Sequence, residues 1–415
     1  MGRKSYKLRA MASGRKIPVF VTSPTWQMNG VNAFAMNLVQ GLVERGFDAR
    51  VVLTDPDRSE PIPMPRPSGL PIEELRSAGR DGVVQRWRRL IRFLESQRPC
   101  VYVPNYDWHT SCVAPRLPRD VAIIGIIHSD DPRHYEDLVR LGHTWNAAVA
   151  VSQRVGERAR ELLPSVAPRL SVIPYGIRVP PATLRGDGGP LRVIYSGLLK
   201  QAQKRILDVP RIAEAVLRKG VPLRLTFAGG GVDESQVREA CRELRTQGAV
   251  RFAGILAPEA LASELADHDV LLMTSEFEGL PNALLEGMAH GLVPVVSDVE
   301  SGIPEVVRDA ENGFIVPIGD VAAFASRLAA LHEDRVCLRR LGAAARATMQ
   351  GGPYRVECMV ESYAEAIERA YVERGSFARR RGRILPPAEL RPVWRHYVPP
   401  SLRSLARRLR GRAAP

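Results

Sequence analysis

Val270-Leu-Leu-Met-Thr-Ser-Glu-Phe-Glu-Gly-Leu-Pro-Asn-Ala-Leu-Leu-Glu-Gly-Met-Ala-His-Gly291 carries the reading of the fold. Its first four residues form an unbroken apolar run, the pattern of a strand buried on both faces. The part after Pro281 has helical spacing and is closed by Gly291, so a strand, a loop and a helix follow one another. Glu278 and Glu286, eight positions apart, fall on the loop and on the helix. Pro281 suits the first helical position, where it forfeits no needed N–H, and free N–H groups there point past the strand end. Such a place favours anions, and a carboxylate beside it accepts from sugar hydroxyls. A nucleotide sugar carries both kinds of group; a pair of glutamates that merely solvates a helix start is the plainer alternative.

The same alternation of short apolar runs with helix-length segments extends along the chain, as in parallel sheets built from β-α-β units. Strands are expected at 18–23, 49–54, 100–104, 121–127, 147–152 and 170–174, and again at 191–196, 223–228, 250–253, 270–274, 293–297 and 314–316. At 415 residues the chain exceeds one ordinary core. The expected fold is α/β, with two doubly wound, Rossmann-like domains facing each other across a cleft. Their expected bounds are 17–176 and 191–352, joined by a Gly- and Pro-rich linker, 177–190. A helix at 353–373 would return to the first domain, and basic segments 1–16 and 374–415 flank the whole. Ligands of such sheets bind beyond the carboxyl ends of the strands, which places the chemistry in the cleft.

Apolar residues make up 45% and charged residues 25% of the chain, the balance of a globular protein. The formal charge of +14 raises nucleic-acid and membrane readings, and its distribution decides between them. Residues 1–16 hold six basic groups and no acid, and 374–415 hold twelve arginines against Glu389 alone, which leaves 17–373 near neutral. Nucleic acid is disfavoured because the basic residues of 399–412 lack interleaved aromatics. Leu402, Leu405 and Leu409 set an apolar stripe between arginines, so 399–412 either contacts an anionic membrane surface or stays solvated. Five cysteines without C-x-x-C spacing read as free thiols in a reducing cytoplasm. No terminal apolar stretch approaches the ~20 residues of a membrane span, and the N-terminus lacks a signal-peptide core. A cytoplasmic protein is expected, peripheral at the inner membrane face if the tail binds lipid.

Further candidates sit in loops at expected strand ends. In Thr22-Ser-Pro-Thr-Trp-Gln-Met-Asn-Gly-Val-Asn32, Gly30 permits close approach to a phosphate, although a plain turn uses glycine as readily. Ile126-Ile-His-Ser-Asp-Asp-Pro-Arg-His-Tyr135 brings His128 to a strand end, where it could contact a reacting sugar. Asp130 or Asp131 could instead cap a helix there, and His128, Asp130, Asp131 and His134 fit no standard zinc spacing. Tyr195-Ser-Gly-Leu-Leu-Lys-Gln-Ala-Gln-Lys-Arg205 offers Lys200, Lys204 and Arg205 to neutralise a diphosphate leaving group, or forms a solvated basic loop. Ala228-Gly-Gly-Gly231 is not a G-x-G-x-x-G fingerprint, which disfavours a nicotinamide dehydrogenase. Ser301-Gly-Ile-Pro-Glu305 reads as mainly structural, Asn312-Gly313 as a turn and Asp320 as an N-cap.

Together these stretches resemble the family 4 retaining glycosyltransferases, which have a two-Rossmann GT-B fold. Over 277–320 the segments Glu-Gly-Leu-Pro-Asn, Leu-Leu-Glu-Gly-Met-Ala, Gly-Leu-Val-Pro-Val-Val, Gly-Ile-Pro-Glu and Asn-Gly-Phe-Ile-Val-Pro run in the family's order. Looser similarity, through Ile173-Pro-Tyr-Gly176 and the three loops above, extends it over 17–373. The resemblance implies that Glu278, first glutamate of an E-x7-E motif, contacts the donor sugar and that Glu286 holds the ribose hydroxyls. Backbone groups of Gly279, Leu280, Pro281 and Asn282 would line the sugar and phosphate pocket, Pro281 through its carbonyl alone. Lys204 would bind the diphosphate with Gly197 and Arg205 beside it, His128 would sit near the anomeric carbon, and Gly30 would approach the phosphates from the other domain. Members usually carry arginine after the glycine of the Gly197 loop; this chain has Leu198, so that phosphate contact is missing unless Lys200 or Arg205 replaces it.

The implied activity is transfer from a UDP- or GDP-sugar, with retention of configuration, with no cofactor and no metal. The acceptor is open: a glycan, a lipid-linked molecule or a small molecule. A nucleotide-sugar epimerase, and a non-catalytic donor-binding partner of a glycosyltransferase, are the alternatives, the second encouraged by Leu198.

Overall fold

Seven parallel strands form one sheet and six parallel strands a second. The computed structural model describes residues 16–58, 63–77, 82–105, 107–182, 188–376, 382–387 and 390. The N-terminal residues 1–15, linker residues 183–187 and the tail stretch 399–412 lie outside the described residues.

The first sheet holds β1 (Pro18–Ser23), β2 (Asp48–Leu53), β3 (Ile72–Glu74), β4 (Cys100–Pro104), β5 (Val121–Ile127), β6 (Ala147–Ala150) and β7 (Leu170–Val172), in the order β3-β2-β1-β4-β5-β6-β7. The second holds β8 (Leu191–Ser196), β9 (Leu223–Ala228), β10 (Val250–Gly254), β11 (Val270–Met273), β12 (Val293–Ser297) and β13 (Phe314–Val316), in the order β10-β9-β8-β11-β12-β13. Helices cover both faces, so central strands are apolar on both sides; all seven residues of β5, Val-Ala-Ile-Ile-Gly-Ile-Ile, are buried. The apolar runs thus mark the strands. β3 escaped the sequence reading because its Ile-Glu-Glu is a half-buried edge strand of three residues with no apolar run.

Strand order reverses between β1 and β4 in the first sheet and between β8 and β11 in the second. Such reversals open a crevice at the carboxyl ends of the two diverging strands, where ligands of doubly wound sheets bind. The Gly30 loop follows β1, while the Lys204 and Glu278 loops follow β8 and β11 on either side of the second reversal.

The helix Val356–Glu373 joins the halves. Its Met359, Val360, Tyr363 and Ile367 share one core cluster with Phe34, Leu38 and Leu42 of the helix Gly30–Glu44 in the first domain and with Leu284 and Met288 of the second. A Cβ at Gly41 would stand 2.5 Å from Val360 Cγ2, so glycine there lets the two helices touch. Beyond it, part of the stretch read as a basic tail packs on the first domain: Gly382 N–H donates to Pro115 O (3.2 Å), Leu385 N–H to Cys112 O (3.1 Å), and the Arg140 guanidinium to Leu385 O. Asp320 caps its helix, accepting from Ala323 N–H at 2.9 Å. Among the described residues no helix is long and apolar enough to cross a membrane.

Candidate active site

Glu278 lies in the loop after β11 and is buried. Its Oε1 accepts from Lys204 Nζ at 2.5 Å and from Ser275 Oγ at 2.6 Å. The two loops that flank the strand-order reversal therefore meet through an ion pair, with the Lys204 side chain 15% and Glu278 6% exposed. Backbone and hydroxyl bonds lock the loops together: Thr274 Oγ1 donates to Lys204 O (2.8 Å) and Glu276 N–H to Gln203 O (2.8 Å). An ammonium fixed on a buried carboxylate is a preorganised positive charge beside a hydroxyl-accepting group.

The glycine loop Gly229–Gly231, set aside in the sequence as a failed dinucleotide fingerprint, supports this arrangement. A Cβ at Gly229 would lie 1.9 Å from Gly197 O, and one at Gly231 2.3 Å from Leu199 O. The Gly197 loop packs backbone against backbone there, with Gly197 itself at φ +147°. Leu198 is 47% exposed on this loop. Arg205 turns from the pair: it adopts a left-handed φ of 45°, and its guanidinium bonds Asp208 (2.8 Å) and Glu276 (2.9 Å). The bond to Glu276, then that to Asp208, holds its pKa above the usual arginine value.

Where the sequence put Pro281 in the first helical turn, Pro281 is the N-cap with an extended ψ of 125°, and the helix runs Asn282–Ala289. No side chain caps that start. Asn282 faces the other domain, donating from Nδ2 to Gly30 O at 2.9 Å, and its Oδ1 is buried without a hydrogen-bond partner. Glu286, on the same helix, is half-buried, and burial pushes its carboxyl up to about 7.

Across the domain boundary Gly279 pairs with Ser129 as an antiparallel bridge. A Cβ on Gly279 would come 2.5 Å from Ser129 Cα, so this glycine lets the Glu278 loop reach the His128 loop. His128 directly follows β5, is buried, and shares a 2.7 Å hydrogen bond through Nδ1 with Tyr175 Oη, with Phe34 edge-on at 5.6 Å. Burial, reinforced by neighbouring His134, holds its pKa well below the usual imidazole range, so the ring is neutral and suited to a hydroxyl rather than to a phosphate. Asp130 accepts from Tyr135 Oη and Asp131 caps the next helix through Arg133 N–H (2.9 Å), so the capping alternative describes Asp131. Among the described residues no three His, Cys, Asp or Glu side chains gather as a metal cluster.

Across the domain boundary Gly30 thus meets Asn282 and Ser129 meets Gly279, while Lys204 joins Glu278. Thr274, Ser275 and Tyr175 complete the frame, and only Tyr175 lay in a stretch that carried the family resemblance. Glu305, read as locally structural, reaches the first domain and accepts from Gln153 N–H and Arg154 N–H.

Residues 28–179 match the family described as Glycosyltransferase Family 4, and residues 190–334 that described as Glycosyl transferases group 1. A putative glycosyltransferase, EpsD of Bacillus subtilis, is 36% identical over 151 residues, covering 36% of this chain and 38% of its own. The amylovoran biosynthesis glycosyltransferase AmsK of Erwinia amylovora is 30% identical over 187 residues, covering 43% and 45%. The chain spans less than half the length of these curated relatives. HepE of Anabaena, solved with UDP, has a TM-score of 0.64 at 16% identity, covering 85% of this chain and 99% of that one, which shows a shared two-domain fold. With residues 28–179 and 190–334 each matched by a glycosyltransferase family and a fold shared with HepE, the first half of the chain belongs to Glycosyltransferase Family 4 and the second to the Glycosyl transferases group 1, together in the two-domain GT-B fold.

Proposed function

We propose that the protein transfers a glycosyl residue from a nucleoside-diphosphate sugar to a glycan, lipid-linked or small-molecule acceptor in polysaccharide biosynthesis, with retention of configuration and without a bound metal. The Lys204–Glu278 pair at the strand-order reversal carries this reading. The name of AmsK, which places that relative in amylovoran biosynthesis, and the UDP bound in HepE support it.

In this reading the donor diphosphate takes Lys204 from Glu278, which frees the carboxylate for sugar hydroxyls. The bond between the anomeric carbon and the diphosphate oxygen breaks as the acceptor oxygen bonds the same face, and the acceptor proton passes to the departing phosphate. Lys204 stabilises the charge that develops on that phosphate. Neutral His128 hydrogen-bonds the sugar, and Glu286 accepts from the ribose. Incubating the protein with UDP- and GDP-sugars and a membrane glycolipid fraction, with a chelator present, tests this. Release of nucleoside diphosphate with an α-linked product from an α-donor is expected; a β-linked product refutes retention, and loss of activity with chelator refutes metal independence. Leu198 favours a second reading, donor binding without transfer, and nucleotide binding with no product from any acceptor would establish it.

The basic stretch 399–412 is proposed to contact anionic membrane at the inner face, bringing the first domain to lipid-linked acceptor. Each basic residue near such a surface contributes about 1 kcal/mol. Full-length protein should sediment with phosphatidylserine vesicles and a variant ending at residue 390 should not; equal sedimentation removes the membrane contact.

A further inference from the structure

We infer that Glu305 is a positioning residue that holds the two domains closed and so sets the Glu278 loop against the His128 loop. Its two carboxylate oxygens accept from the first N–H groups of the first-domain helix Gln153–Leu162: Oε2 from Gln153 and Oε1 from Arg154, each at 3.0 Å. A carboxylate at the positive end of a helix makes charge-assisted bonds there. Arg154 adds a second tie, pairing through its guanidinium with Glu300 at 2.5 Å.

The same loop is wired to the site and to the connection between domains. Gly302 N–H donates to Gly279 O at 2.6 Å, beside Glu278. A Cβ on Gly302 would stand 2.8 Å from Ser152 Cβ and 2.9 Å from Gly279 O, so the loop fills the space between the first domain and the donor-side loop. Glu305 O accepts from Tyr354 Oη at 3.4 Å, and Tyr354 O accepts from Ile177 N–H, at the start of the linker, at 2.7 Å. One short segment, 300–305, therefore touches the helix start of the first domain, Gly279 of the bridge to Ser129, and Tyr354, which holds the start of the linker. The Glu305 carboxylate and the Glu300–Arg154 pair are the charged contacts among these, and the exposure of Glu305 makes its contact salt-sensitive.

The consequence for transfer rests on the function proposed above; domain closure itself does not. Glu305→Gln keeps the shape and removes the charge, Gly302→Ala wedges the same contact from its other side, and Glu311→Gln alters an exposed carboxylate of the same domain as a control. Hydrogen exchange at the Gln153 and Arg154 amides should speed up about tenfold in Glu305→Gln, and small-angle scattering should give a larger radius of gyration in both Glu305→Gln and Gly302→Ala. The control should match wild type. Once a donor is identified, Glu305→Gln should raise its KM about tenfold with a smaller change in kcat. Faster exchange with an unchanged radius in both variants would reduce Glu305 to a local helix cap and overturn the proposal, as would no change in either reading. If no nucleotide binds even wild-type protein, the transferase reading fails while exchange and scattering still decide the role of Glu305.

Discussion

Lys204→Met is expected to remove transfer and to destabilise the fold by about 3 kcal/mol at once, because it strands Glu278 as a buried carboxylate without its cation. Ser275 Oγ remains as a donor to Glu278, but a neutral hydroxyl does not replace the ammonium. Adding Glu278→Gln should restore much of the lost stability, since removing both charges of a buried pair costs far less than removing one. It should restore none of the turnover, which loses the charge that faces the departing diphosphate; one such electrostatic group is worth about 10²- to 10³-fold. Denaturant midpoints and initial rates on the single and double variants separate the two effects. A double variant that regains activity would show that the pair is scaffold and not machinery.

Glu286→Gln should act in opposite directions on stability and on binding. In the unfolded chain this carboxyl ionises near its ordinary value of 4.5; in the folded protein burial pushes it up to about 7. Between those two pH values the folded state binds more protons than the unfolded state, so the contribution of Glu286 to stability is present below pH 4.5 and is lost as pH rises through 7. Relative to wild type, the glutamine variant should therefore gain about 2 kcal/mol on going from pH 5 to pH 8, allowing for the partial exposure of the residue. Groups such as Asp137 and His134 titrate in both proteins and cancel in the difference. Nucleotide binding should run the other way: wild-type affinity should rise through pH 7 as the carboxylate forms, while the variant binds weakly and without that pH dependence. Stability differences that stay flat with pH would show that the Glu286 carboxyl is in contact with water.

The apolar runs of β5 and β11 showed the sheets in the sequence because strands buried on both faces must be apolar throughout. Ile72-Glu-Glu74 stayed hidden because an edge strand is not under that demand. Glu278 stood out through its neighbours in the chain, but its partner is 74 residues away and was identifiable only as one of several basic side chains. Arg205 shows the limit of reading charge alone: Asp208, three residues on, and Glu276, from the facing loop, occupy its guanidinium. The glycines at 229–231 were weighed only as a dinucleotide fingerprint, which they are not, and so their packing role was missed. They admit the backbone of the Gly197 loop, a contact that depends on β8 and β9 being neighbours. Glu305 looked local for the same reason, since its partners belong to the other domain.

The measurement that tests the central claim most directly is calorimetric titration of the full-length protein with UDP, GDP, ADP and TDP, with Lys204→Met alongside. One nucleoside diphosphate should bind wild type at a single site, and the variant should bind it at least ten times more weakly, a difference of about 1.4 kcal/mol. Equal affinity in the two proteins, or no binding of any of the four, would contradict a donor site built on Lys204 and Glu278.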